Sequence, residues 1–190
     1  MYKIITAPAT AISTVADMKD RLKVDVSTDD DLIASLIETA TKIIEEQKGL
    51  ALITQTLEMA LDDWPKAAID IHKGPVQSIT SITYVINDVV TTWAASNYIL
   101  DDYRKIARIG LARAASYPGV DSIINTIKVR FVAGYGVAAD VPEPILDAAA
   151  LIIGNLYENR EDVITVPNVR VYAMPYRATW LLNPYRLWAV

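Results

Sequence analysis

Residues 127–160 read IKVRFVAGYGVAADVPEPILDAAALIIGNLYENR, and the periodicity of this stretch changes halfway along it. Ile127, Val129 and Phe131 alternate with Lys128, Arg130 and Val132, the period of two of a strand with one buried face. From Glu143 the apolar residues Ile145, Ala148, Ala149, Ile152, Ile153, Leu156 and Tyr157 recur at helical spacing, and Glu143-Pro144 suits a helix start. Gly134 and Gly136 supply backbone freedom where the strand hands over to the helix. The run Ala148 to Ile153 is apolar all round, so this helix must be covered on both sides, by its own chain or by another copy.

Upstream, two further helices are expected. Thr14 with Asp17 imitates a capping box ahead of the stripe Val15, Met18 and Leu22. Ser27 or Thr28 can cap a longer helix in which Asp29, Asp30 and Asp31 crowd the positive end of the dipole. Ile33, Leu36, Ile37, Ala40, Ile44 and Gln47 mark its face, and Gly49 closes it. Between the helices the period is two: Leu57, Met59 and Leu61 alternate with Glu58, Ala60 and Asp62. The β-branched runs Ile79 to Ile86 and Val89 to Thr92 meet at Asn87-Asp88, a hairpin turn. Tyr98 to Leu100 and Ile106 to Leu111 are further short strands.

The expected fold is therefore α+β. Helices at about 14–23, 28–48 and 143–160 form a small bundle, an antiparallel β domain is inserted at 51–135, and residues 163–190 form an extended C-terminal arm. The helical core takes residues 1–50 and 136–162. The arm holds Pro167, Pro175 and Pro184, too many for a long helix, and it is too apolar for disorder. It should lie on something.

The 190 residues are 52% hydrophobic with a net charge of -5, which excludes a disordered polymer. No window is apolar for long enough to span a membrane, and no basic segment precedes an apolar one at the start, so a soluble chain without a secretory signal is expected. The absence of cysteine removes disulfides, thiolate metal sites and thiol nucleophiles together. An acidic chain with no Lys/Arg block is poorly suited to gripping duplex DNA. Ten Tyr and four Trp stand against a single Phe, a skew toward side chains with an apolar body and a polar tip. Tyr172, Tyr176, Tyr185, Trp180 and Trp188 fall in the arm, where they read as an interface.

Chemistry has little to build on. His72 is the only histidine and falls on the polar face beside Asp70, as a solvated or salt-paired side chain does. The acidic groups Asp29-Asp30-Asp31, Asp62-Asp63 and Asp101-Asp102 lack the spacing of a calcium loop, and helix capping explains the first. The glycines around Tyr135 match no phosphate-binding motif. No catalytic residue, cofactor or metal is assigned. Tyr157 to Glu161 can be a polar C-terminal turn, in which Arg160 suits the helix dipole, or an interface anchor rich in hot-spot residue types.

The order of these features resembles a family. Asp29-Asp30-Asp31-Leu32-Ile33 opens a helix that ends Ile44-Glu45-Glu46-Gln47-Lys48-Gly49. Gln55-Thr56 begins a strand ending at Trp64-Pro65, and Gly74-Pro75-Val76 precedes Ser78-Ile79 to Tyr84. Val129 to Gly136 leads to Val141-Pro142, and the last helix closes on Leu156-Tyr157-Glu158-Asn159-Arg160-Glu161. This is similar to the head–tail connector (adaptor) proteins of long-tailed bacteriophages and prophages, in the branch with a β insertion. The resemblance implies a structural virion protein of about twelve copies forming a ring by heterologous contacts beneath the portal. The ring would provide the platform for the head-closure or tail neck protein, with double-stranded DNA as non-specific cargo in its channel. It implies location in the virion neck, assembly in the bacterial cytoplasm, no membrane and no enzymatic activity. The expected intersubunit or portal contacts are Ile152, Leu156, Tyr157, Arg160, Glu161, Tyr172, Tyr176, Arg177, Trp180, Tyr185, Arg186 and Trp188.

Two rivals make distinct demands. A metal-dependent hydrolase needs Asp62, Asp63, His72, Asp101 and Asp102 to converge in one pocket. A peptide-binding module needs an uncovered strand in the 78–92 hairpin.

Overall fold

Thr14 opens the first helix as its local sequence anticipates. Its hydroxyl accepts from the Asp17 N–H at 3.1 Å and donates to the Asp17 carboxylate at 2.7 Å. The computed structural model describes residues 2–159 and 175–187. Within them α1 spans Val15–Leu22, α2 Asp30–Lys48, α3 Glu143–Glu158 and α4 Tyr176–Leu182. Helix α2 buries Ile33, Ile37, Ala40 and Ile44 along one face, and Gly49 ends it at φ 72°. Its N-cap is Asp29 rather than the expected Ser27 or Thr28, and no side chain caps it. The acidic start serves tertiary contacts instead: Asp29 accepts a hydrogen bond from the Tyr157 hydroxyl, and Asp30 pairs with Lys19 of α1 at 2.7 Å.

Helix α3 buries Ile145, Ala148, Ala149, Ile152 and Ile153. Its own chain packs on it through α1, α2 and α4, while Ala150 and Leu151 stay half-buried. The seven-residue α4 lies in the segment expected to be an extended arm. Proline spacing hid it, because Pro175 stands as its N-cap and Pro184 follows just after its end.

The strands are β1 Tyr2–Thr6, β2 Gln55–Leu61, β3 Ile69–Ile71, β4 Val76–Ile86, β5 Val89–Trp93, β6 Tyr98–Asp101, β7 Ala107–Leu111 and β8 Ile127–Ala133. A five-stranded antiparallel sheet has the order β1-β2-β8-β4-β5, and a three-stranded one the order β3-β7-β6. Register sets Leu57 opposite Phe131 and Met59 opposite Val129, so the alternating residues of the two strands share one core face. Asn87 and Asp88, at φ 51° and 60°, form the β4–β5 turn, and both their N–H groups donate to the Asp121 carboxylate. The sequence reading placed no strand before residue 13; β1 pairs with β2 and extends the sheet at one end.

Two apolar clusters result. One gathers the inner faces of the helices with Ala178, Leu182 and Leu187 from the C-terminal segment. The other lies against the sheets around Phe131, Val129, Ile82, Ile71 and Ile109. Trp64 stacks on Tyr117 with ring centroids 4.8 Å apart and leans on Trp93 at 5.0 Å, with Tyr84 and Tyr98 completing the group. Part of the Tyr/Trp excess is thus core, built where offset and tilted ring pairs add to burial.

The clusters meet where residues 49–55 pass the 134–136 loop. Gly134 sits at φ 135°, and a Cβ there would stand 2.6 Å from the Ile53 backbone, so only glycine fits. Glu45, at the end of α2, accepts from the Leu52 N–H at 2.8 Å and the Gln55 amide at 3.0 Å. Burial pushes its carboxyl above the usual range, against these hydrogen bonds and the nearby Lys73.

Candidate assembly surfaces

Helix α4 divides its residues by face. Ala178 and Leu182, four apart, are fully buried in the helical cluster, which leaves Tyr176, Arg177 and Trp180 facing outward. Tyr176 is 73% and Trp180 68% exposed, large aromatic surfaces that a folded chain rarely leaves in water without use. Trp180 borders a groove of about 1280 Å³ between α1, α3 and α4, floored by Ala150, Leu151 and Leu181.

The groove wall is held by charge and by close approach. Arg21 donates to Glu143 and to Asp147 at 2.5 Å each, tying α1 to the first turns of α3, and these bonds raise its pKa, the Glu143 bond most. At Gly154 a Cβ would stand 3.2 Å from the Leu22 side chain, so the glycine lets α1 sit close to α3.

The expected contact residues separate into three groups. Tyr176, Arg177, Trp180 and Arg186 are exposed. Leu156, Tyr157 and Tyr185 are half-buried and pack against the helical cluster, with Tyr157 bonded to Asp29. Ile152, at 3% exposure, is buried in the helical cluster of its own chain. Arg160, Glu161, Tyr172 and Trp188 lie outside the described residues.

The sequence reading missed β1, one edge of the large sheet. Strand β5 is one edge and β1 the other, and among the described residues neither has a backbone partner on its outer side. Val89 and Val90 are 60% and 69% exposed on β5, and Ile4 is 56% exposed on β1. An uncovered strand in the 78–92 hairpin is what the peptide-binding reading requires. The signal for β1 was the run Tyr2-Lys3-Ile4-Ile5-Thr6, β-rich in composition but too short and too exposed to alternate clearly.

The acidic residues take separate structural duties. Asp62 accepts from the Asn125 N–H at 2.7 Å, Asp63 from the Trp64 N–H at 2.7 Å, and Asp101 pairs with Arg108 at 2.7 Å. The His72 N–H donates to the Tyr2 hydroxyl at 2.7 Å. Among the described residues no three His, Cys, Asp or Glu side chains group so as to hold a metal ion, and no helix is long and apolar enough to cross a membrane.

No family model matches the sequence, and no curated protein matches it. Solved structures do. A chain in the neck of an empty gene transfer agent particle, computed with C6 symmetry, superposes with a TM-score of 0.82 at 24% identity, covering 100% of this chain and 97% of that one. A chain in the virion of a native gene transfer agent particle gives the same values. One in the native particle's neck, computed with C12 symmetry, gives a TM-score of 0.78 at 24% identity over the same shares. Across its whole length the chain has the fold of a component of these particles.

Proposed function

We propose that the protein is a structural, non-enzymatic component of the neck of a phage-like particle, a head–tail adaptor that assembles as a ring under the portal. The likeness of fold to neck chains over the full length of both partners carries this reading. In it the helical part and the C-terminal segment meet the portal and neighbouring subunits. Tyr176, Arg177 and Trp180 act as anchors, since aromatic and Arg side chains dominate binding energy once desolvated. The next neck or tail component docks on the finished ring, and DNA passes through the channel as cargo. An acidic subunit is compatible with that passage, because clustered cations would hold phosphate rather than let it slide.

The test is removal of the protein from a producing strain, followed by electron microscopy of the particles. Heads without tails are expected. Complete tailed particles made without the protein would refute the reading.

A further inference from the structure

The two edges of the large sheet, unpaired among the described residues, have a directional relationship. β1 is antiparallel to β2, β2 to β8, β8 to β4 and β4 to β5, so the successive reversals cancel and β5 runs in the same direction as β1. A rotation that generates a ring does not reverse a strand. Placed side by side by such a rotation, β5 of one copy and β1 of the next run parallel, with the outer backbone groups of each facing the other.

We propose that this is the subunit contact: β5 of one copy pairs in parallel with β1 of its neighbour, so that the five-stranded sheet continues from subunit to subunit. The proposal rests on the ring reading and adds to it the surface that closes the ring. Three observations support a second copy as the occupant.

Protection of the edges is thin: neither strand contains proline and Lys3 is the single charge on the two, while the register shift between Ile4 and Thr6 interrupts only the far end of β1.

The apolar residues also match. Ile4 stands opposite Leu57, and Val89 is in phase with Trp93, so both lie on the core side of the sheet. They are 56% and 60% exposed in the single chain, and on a continued sheet each would help cover the other.

The stagger of the edges suits closure. Ile4 is level with Leu57, whereas Thr91, through Tyr84 and Ile127, is level with Leu61. That offset is about 13 Å along the strands against about 24 Å across five of them. Strands tilted by about 30° to the ring axis absorb it, somewhat below the roughly 35–45° of closed barrels.

The chain has no cysteine, which allows a clean test. Val89→Cys and Ile4→Cys variants are prepared separately, then incubated alone and mixed with a short bis-maleimide, while untreated samples are viewed by negative-stain electron microscopy. The proposal expects cross-linked dimers in the mixture and little in either variant alone, because each ring contact uses one edge of each kind. Cross-linking of Val89→Cys alone would overturn it in favour of a two-fold pairing of like edges. Rings in the microscope with no cross-link in the mixture would overturn the edge contact and leave the ring reading standing. Neither rings nor cross-links, at any concentration and with the portal protein of the same particle added, would overturn both.

Discussion

The Tyr157 hydroxyl, at the end of α3, donates a hydrogen bond to the Asp29 carboxylate at the start of α2. A residue that reads in the sequence as an interface anchor thus also fastens one helix of its own bundle to another. Tyr157→Phe keeps the ring and removes the donor to a charged acceptor, so about 1–2 kcal/mol of stability is expected to go. Thermal unfolding should fall by a few degrees, about 2–4 °C per kcal/mol for a chain of this size. A double-mutant cycle with Asp29→Asn should give less than the sum of the single effects.

Gly134→Ala is expected to be severe. It combines a φ of 135° with a Cβ 2.6 Å from the Ile53 backbone, and relief requires moving the segment that joins the two apolar clusters. Urea unfolding should register a loss of about 3 kcal/mol or more, or no folded protein. Gly110→Ala is the control, since nothing lies within 4 Å of the added atom, and it should change stability by less than about 0.5 kcal/mol.

Glu45 predicts a pH dependence. Burial raises its folded-state pKa above the ordinary 4.5, so the native state holds the proton longer than the unfolded chain does. Its contribution is full below the ordinary value and is lost as pH rises through the folded pKa. Glu45→Gln keeps an acceptor for the Leu52 N–H and has no charge to bury. Urea unfolding over about pH 4 to 7 should therefore show a flatter profile for the variant from 4.5 upward. Equal slopes in the two proteins would remove Glu45 as the cause.

The outward face of α4 should matter for association and not for folding. Tyr176→Ser with Trp180→Ser is expected to leave unfolding within about 0.5 kcal/mol of the parent for each change, while weakening attachment to the portal in co-sedimentation. Ala178→Asp, on the buried face, should behave oppositely and destabilise the fold by about 3 kcal/mol or more, because a lone charge enters the core.

What could be read in the sequence follows from where each element gets its stability. Helices α2 and α3 carry enough turns for an apolar stripe to repeat, and the alternation in β2 and β8 is strong because both strands bury one face. Helix α4 shows no stripe: with two turns between prolines, only Ala178 and Leu182 mark its buried side. Strand β1 is exposed along almost all its length and is held by pairing with β2, so its pattern carries no buried face to read. Asp29 and Asp30 look like helix-cap residues in sequence, but α1 and α3 bring Lys19 and Tyr157 to them from a distance along the chain. Tyr176 and Trp180 stand out in the sequence as large aromatics between prolines, and they are exposed although Ala178 and Leu182 beside them join the helical core. Ile152 is buried within its own chain, a placement the sequence leaves open because an apolar helix facing its own chain and one facing a partner have the same pattern.

The central claim is a ring built on the portal. Light scattering on the purified protein, alone and mixed with the portal protein of the same particle, measures this directly. The account predicts a complex whose added mass corresponds to about twelve copies of the chain on a portal ring, whether or not the free protein is monomeric. A protein that stays a strict monomer and never associates with portal would contradict it.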